Sequence, residues 1–227
     1  MITVAIDGPA AAGKSTAAKA VAKKLGLLYL DTGSMYRALG YKAAAQGLDP
    51  GNESEVLPML GNTELVVAYK DGEQRLFVDG EDVTAKIRSA ECGMHASAIS
   101  AIPAVRETLV AQQRKIAEGN DVIMDGRDIG TVVLPNAKYK FFITASPAIR
   151  ARRRRAELLE KGLPAKPAEE LEQEIIKRDY DDSHRAHSPL KQAEDAHFID
   201  TTSMTLEQVV EKILGMIEEG EKRRDVL

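Results

Sequence analysis

The chain has a single cysteine, Cys92, which rules out an internal disulfide framework and fits a reducing compartment. No run approaches the roughly 18 consecutive apolar residues that a membrane-spanning helix requires. The start lacks the basic segment and apolar stretch of roughly 7–15 residues that mark a secretory leader. Met1 runs straight into ITVAIDG and the next basic residue is Lys14, so a cytoplasmic protein is expected. Repeats and low-complexity tracts are missing too. Basic residues carry no general excess, since the net charge is −4, which argues against a general nucleic-acid binder. What is present is ordinary for a globular protein: 227 residues, 44% hydrophobic and 29% charged. Val, Ile and Leu recur in short dense runs, which excludes disorder as the main state.

Five such runs, at 2–6, 27–30, 122–124, 139–144 and 197–199, read as buried strands bounded by Asp, Gly, Ser or Pro. Runs apolar on both faces belong to a parallel sheet covered by helices. Helical patterns fall between them at 16–25, 35–46, 104–117, 147–160, 169–179 and 206–218. The alternation predicts an α/β doubly wound core. One segment departs from it. From Thr63 to Arg88, alternation of period two surrounds Asp71-Gly72 and Asp79-Gly80, both hairpin-turn signals, and predicts a small inserted antiparallel meander. The terminal EEGEKRRDVL reads as a fraying helix end.

Gly8-Pro9-Ala10-Ala11-Ala12-Gly13-Lys14-Ser15 satisfies G-x-x-x-x-G-K-[ST], with a predicted strand before it and a helix after it. Backbone N–H groups of such a loop converge on an anion, and the helix N-terminus adds partial positive charge. Lys14 would reach the β- and γ-phosphates, and Ser15 would ligate Mg²⁺. The pattern alone leaves open a switch GTPase, a motor ATPase or a small-molecule kinase. A GTPase would usually show Asn-Lys-x-Asp, which this chain lacks.

Three further clusters supply arginines where a second phosphate would sit. Asp31-Thr32-Gly33-Ser34-Met35-Tyr36-Arg37 follows the second strand, and Asp125-Gly126-Arg127-Asp128-Ile129-Gly130-Thr131 follows the third. Both fall at carboxyl ends of strands, where open α/β sheets hold ligands. Asp125 could bind Mg²⁺ through water, as Walker-B acids do. Helix capping is the competing role for Asp31 and Asp125, and a surface ion pair for Arg37 and Arg127. The third cluster runs from Arg150 to Arg155. At helical spacing Arg150, Arg153 and Arg154 share a face that could close over phosphates, while at least two of the five arginines should be solvated. Downstream, Arg178 and Arg185, seven apart, would lie nearly on one side of a helix with Asp182 between them.

GPAAAGKST, LDTGSMYR, the meander ending near VTAKIRS, DGRDIGTVV, RARRRRAELLEKG, KRDYDDSHRAHSPL and HFIDTTSMTLEQVVEKIL together resemble the bacterial cytidylate kinase family over nearly the whole chain. The resemblance implies transfer of the ATP γ-phosphoryl to CMP or dCMP, with Mg²⁺. It also implies a single domain of P-loop nucleoside monophosphate kinase fold with a five-stranded parallel core at 1–33, 120–148 and 189–227. A monophosphate-binding region with the β insertion would span 34–119, and a helical lid 149–188. Residue by residue, Gly8 to Thr16 match the ATP loop, and Arg37 and Arg127 match the arginines on the CMP phosphate. Thr32, Arg106, Asp128 and Arg185 match positions around cytosine; Ser97, Arg178 and Asp182 match those around ribose. Lys14, Arg127, Arg153 and Arg154 would be catalytic, and Ser15 and Asp125 would hold the metal. The expected partners are free nucleotides, with no nucleic acid or membrane, acting on a monomer. A kinase for another small acceptor and a non-catalytic ATP-binding module remain the alternatives, with RNA binding through the arginine run a third.

Overall fold

The computed structural model describes residues 1–224. The chain begins with β1 (Thr3–Asp7), α1 (Lys14–Leu25) and β2 (Leu28–Asp31), followed by α2 (Thr32–Ala45) and α3 (Glu53–Gly61). The insertion contributes β3 (Leu65–Lys70), β4 (Glu73–Val78) and β5 (Glu81–Asp82), and then come α4 (Ala90–Ile99) and α5 (Pro103–Ala117). The chain continues through β6 (Val122–Gly126), β7 (Tyr139–Thr144), α6 (Pro147–Glu160), α7 (Ala168–Ser183), β8 (His197–Asp200) and α8 (Leu206–Arg224). Two compact units result, one of residues 1–29 with 121 onward, the other of residues 30–120.

The first unit is built on a five-stranded parallel sheet of order β2-β6-β1-β7-β8. Thr3 to Asp7 pair in register with Val122 to Gly126 on one side, and Val4 to Asp7 with Tyr139 to Phe142 on the other. Val4, Ile6, Ile123, Phe141, Ile143 and Ile199 form one sheet face and pack with Ala17, Ala18 and Val21 of α1 and Ile213 and Ile217 of α8. Each large aliphatic side chain buried there contributes about 1.5–3 kcal/mol. Small residues on α1, Ala17 and Ala18, let that helix pack close against the sheet. Gly26 ends α1 in the left-handed region, φ 68°, and its N–H bonds the Ala22 carbonyl.

The second unit packs α2 against α4. A Cβ on Gly40 would lie 2.9 Å from the His95 backbone, so only glycine permits that approach. The meander is a three-stranded antiparallel sheet of order β3-β4-β5. At its two turns Asp71 and Gly72 (φ 54° and 76°) and Asp79 and Gly80 (φ 50° and 81°) all adopt positive φ, as a type I′ hairpin turn demands.

Several boundaries differ from the sequence expectation. The meander closes at Asp82, and residues 86–88 form a 3₁₀ turn instead of strand. Helices α3 and α4 were not expected: α3 is short and contains Pro58, with only Val56 and Met59 buried, and α4 is rich in Ala and carries no clear amphipathic stripe. A wide π-type turn at Ile129–Val133 follows β6. Helix α7 ends at Ser183, so Arg185 lies beyond it and does not share a helical face with Arg178. Helix α8 runs to Arg224; the last three residues of the EEGEKRRDVL end lie outside the described residues. No helix among the described residues is long and apolar enough to cross a membrane.

Candidate active site

In the first unit the β1–α1 loop turns through Gly8 (φ 144°), Ala11 (φ 58°) and Gly13 (φ 89°). A Cβ on Gly8 would sit 1.9 Å from the Ile143 carbonyl oxygen, so the loop requires glycine there. Repeated positive φ turns successive N–H groups to one side, the geometry of an anion nest. Lys14 is 5% exposed and its Nζ donates to the Pro9 carbonyl over 2.7 Å. Burial, assisted by the Arg127 charge, pushes its pKa down to about 7, against the pull of Asp125 and Asp7.

Ser15 Oγ donates to Asp125 Oδ2 at 2.8 Å, and the Tyr29 hydroxyl donates to Asp125 Oδ1 at 2.7 Å. Asp125 therefore does not act as a helix cap. A hydroxyl and a carboxylate oxygen side by side are hard donors of the kind Mg²⁺ accepts together with phosphate oxygens, so the residues fit that ion. Asp7, the last residue of β1, accepts from Ile129 N (2.8 Å) and Gly130 N (2.7 Å). It fixes the turn that carries Arg127 and Asp128. Burial raises the Asp7 carboxyl to about 6 despite those two bonds.

Arg127 Nε donates to Asp182 Oδ2 at 2.9 Å, and Arg185 Nη2 lies 3.4 Å from Asp182 Oδ1. Burial opposes ionisation of Asp182, but Arg127, Arg185 and Arg178 outweigh it and hold the carboxyl below its usual range. Asp128 is buried. The arginine run divides in its partners. Arg150 donates to the Ala10 carbonyl (3.1 Å) and pairs with Asp179 (2.5 Å). Arg153 donates to Thr201 Oγ1 (2.9 Å) and carbonyl O (2.7 Å), with the Ala12 carbonyl at 3.4 Å. Arg154 pairs with Glu157 on its own helix, and Arg152 and Arg155 are exposed.

In the second unit Asp31 does cap a helix, accepting from Ser34 N at 3.0 Å, and it also accepts from Arg37 Nη2 at 2.6 Å. Arg37 Nε is buried without a hydrogen-bond partner. Thr32 is buried at the start of α2. Arg106 donates to the Ser100 carbonyl (3.1 Å) with its guanidinium 5.4 Å from the centre of the Tyr36 ring. Ser97 is half-buried on α4. Asp7 and Tyr29, which bond the Ile129–Gly130 turn and Asp125, are the neighbours that sequence reasoning passed over. Asp7 carried a usable signal, an acid closing an apolar strand just before Gly8; Tyr29 carried none.

A parallel sheet whose first strand enters a glycine-bearing loop, with Lys14 and Ser15 at the start of the following helix, defines a phosphate-loop kinase fold. A gluconokinase from Sinorhizobium meliloti 1021 shares it, with a TM-score of 0.51 at 11% identity over 98% of this chain and 95% of that one. The chain belongs to the cytidylate kinase family, whose model matches residues 4–219. It is 50% identical to the cytidylate kinase of Geobacillus sp. (strain WCH70), over 96% of this chain and 97% of that protein. It is 48% identical to that of Caldicellulosiruptor bescii, over 95% of each. The protein is an enzyme, a kinase of this family.

Proposed function

We propose that the enzyme transfers the γ-phosphoryl group of ATP to CMP or dCMP, giving ADP and CDP or dCDP. Besides family membership, one observation carries the reading: Arg37 and Arg127 each follow the end of a parallel strand and are each aimed by a carboxylate, Asp31 and Asp182. A phosphate loop serves the donor; two further arginines, each already oriented, suit a second phosphate.

The accepting phosphate has a second pKa of about 6 and is mostly ionised at neutral pH, so no general base is required. The four histidines stay outside the chemistry. The obstacle is the approach of two anions, and the remedy is preorganised positive charge. Lys14 and the loop N–H groups receive the β- and γ-phosphates. Arg37 and Arg127 hold the acceptor phosphate in line. Ser15 and Asp125 would hold Mg²⁺, which would offset charge on the donor phosphates. Arg106, Asp128, Thr32 and Arg185 read the cytosine; Ser97, Arg178 and Asp182 meet the ribose. Arg153 and Arg154 bring charge from α6, and residues 149–188 close over both nucleotides to exclude water. The reading includes a monomer working on free nucleotides in the cytoplasm.

The decisive assay is ADP release with CMP, dCMP, UMP, AMP and GMP as acceptors. CMP or dCMP should give the highest kcat/KM. Preference for a purine nucleotide or a sugar would replace this reading with a kinase for another acceptor. ATP turnover indifferent to every acceptor would favour a non-catalytic module.

A further inference from the structure

The phosphoryl-transfer scheme gives the inserted meander no task. One of its side chains nevertheless reaches the turn that carries Arg37. Gln74, on β4 opposite Tyr69, uses both ends of its amide. Its Oε1 accepts from Asp31 N at 2.8 Å, and its Nε2 donates to Ser34 Oγ at 2.8 Å and to the Asp31 carbonyl at 3.3 Å. The orientation of the amide is unambiguous, because only the oxygen can face a backbone N–H.

These bonds occupy the peptide groups on both sides of Asp31. Ser34 Oγ closes the ring by donating to the Asp31 carbonyl at 2.6 Å. With its backbone fixed, Asp31 presents one carboxylate oxygen to Ser34 N and the other to Arg37 Nη2. The chain of contacts runs from Gln74 to the Asp31 peptide, from there to the Asp31 carboxylate, and on to the Arg37 guanidinium. All of it lies within the second unit.

We propose that Gln74 is a positioning residue, through which the inserted sheet holds the Asp31–Ser34 turn and aims Arg37 at the acceptor phosphate. The proposal rests on the assignment of Arg37 to that phosphate. Gln74 does not touch substrate; it removes alternative settings of the Asp31 carboxylate and so of the long arginine side chain. Preorganisation of this kind lowers the cost of binding and leaves the transfer step largely alone. Its loss should therefore appear in the acceptor's KM.

The test is a double-mutant cycle. Gln74→Met keeps the length and packing of the side chain and removes every hydrogen bond; Gln74→Asn keeps the amide but is one methylene too short to reach. Each should raise KM for CMP by about tenfold, the size of a lost hydrogen bond with a buried partner left unpaired. Each should also leave KM for ATP within twofold and kcat within about threefold. In an Arg37→Met background the Gln74 effect on CMP should shrink below twofold. The proposal is overturned if both Gln74 variants leave KM for CMP unchanged, if KM for ATP rises equally, or if the effect persists in full without Arg37. Calorimetric titration with ATP shows that each variant is folded, and the shorter variant carries the test if the Met variant is not. Should wild type prefer another phosphorylated acceptor, the CMP reading fails while the same cycle, run with that acceptor, still decides the role of Gln74. An acceptor without a phosphate would overturn both.

Discussion

Arg127 Nε donates to Asp182 Oδ2 over 2.9 Å, so an arginine just beyond β6 is held by a carboxylate on the last turn of α7. Asp182 is also near Arg185, and three guanidinium groups together keep it ionised below the usual carboxylate range despite burial. Asp182→Asn keeps the shape but removes the charge that offsets those arginines. It should cost about 1–2 kcal/mol of stability, below the value for a fully buried pair, because Arg127 is partly exposed. It should also lower kcat/KM for CMP roughly tenfold or more. The stability that ionised Asp182 supplies is present above the ordinary carboxylate pKa and is lost as pH falls through its depressed folded value. Urea melts at pH 7 and pH 3.5 should therefore show the gap between wild type and variant narrowing at the lower pH. A gap that widens in acid would contradict the assignment.

Lys14, buried beside Arg127, has a pKa of about 7 without nucleotide. A bound triphosphate places negative charge at its ammonium and favours the charged form. Binding should then take up close to one proton at pH 8 and about half of one at pH 7. Calorimetry of ATP binding in buffers of different ionisation enthalpy measures this directly, and Lys14→Met should abolish the uptake. The same variant should lose about 10²-fold or more in turnover, having lost a preorganised electrostatic donor. Equal proton uptake in the two proteins would show that another group titrates.

Asp7 is 4% exposed and bonds two consecutive amides, with a carboxyl raised to about 6. A carboxyl raised on folding binds its proton more tightly in the native state. Its contribution is therefore greatest below the unfolded pKa and fades as pH rises through the folded one. Asp7→Asn does not titrate. Relative to that variant, wild type should gain about 1 kcal/mol of stability between pH 7.5 and pH 5. A difference that stays flat or moves the other way would place the Asp7 pKa near its ordinary value.

Much of this architecture was legible from hydrophobic runs, since β7 and α6 match the expected limits and the other core strands begin or end one or two residues away. The misplaced strand ends share a cause. β1, β2, β6 and β8 extend onto Asp7, Asp31, Asp125 with Gly126, and Asp200, where an apolar run stops but backbone pairing continues. Carboxyl ends of parallel strands are also where open α/β sheets hold their ligands. Helix α4 was missed because its AECGMHASAI sequence packs through small residues and shows little stripe. Gln74 was out of reach for a different reason: its partners Asp31 and Ser34 are about forty positions away, and one sequence gives no signal for a long-range hydrogen bond.

Arg150 ties the start of α6 to the Ala10 carbonyl of the phosphate loop and to Asp179 of α7. In the proposed closure over bound nucleotides the α6–α7 pair would pivot beyond that anchor, and the connection between the two helices should move most. Lys161, exposed at the end of α6, offers a tryptic site there. Cleavage after Lys161 should slow at least tenfold when ATP and CMP analogues are bound together, and less with either alone. Cutting that ignores both ligands would favour a rigid helical pair.

Base selectivity follows from the hydrogen-bonding inventory of cytosine. The base offers acceptors at O2 and N3 and a donor at its exocyclic amine, whereas uracil has a donor at N3 and an acceptor at O4. In the proposed complex Arg106 donates to O2 and N3, and the buried Asp128 accepts from the amine. Uracil would set its O4 against the Asp128 carboxylate, acceptor against acceptor, and its N3–H against a donor. Such a mismatch at a buried polar site costs about 1–3 kcal/mol or more, so CMP should be preferred to UMP by roughly ten- to a hundred-fold or beyond. Asp128→Asn can rotate its amide to donate to O4 and should narrow the CMP/UMP ratio of kcat/KM by about tenfold, chiefly by improving UMP relative to CMP. The backbone carbonyl of Asp128 accepts from Val132 N at 2.8 Å and Val133 N at 3.1 Å, and these two bonds do not use the substituted carboxylate. An unchanged CMP/UMP ratio in a folded, active variant would remove Asp128 from base recognition.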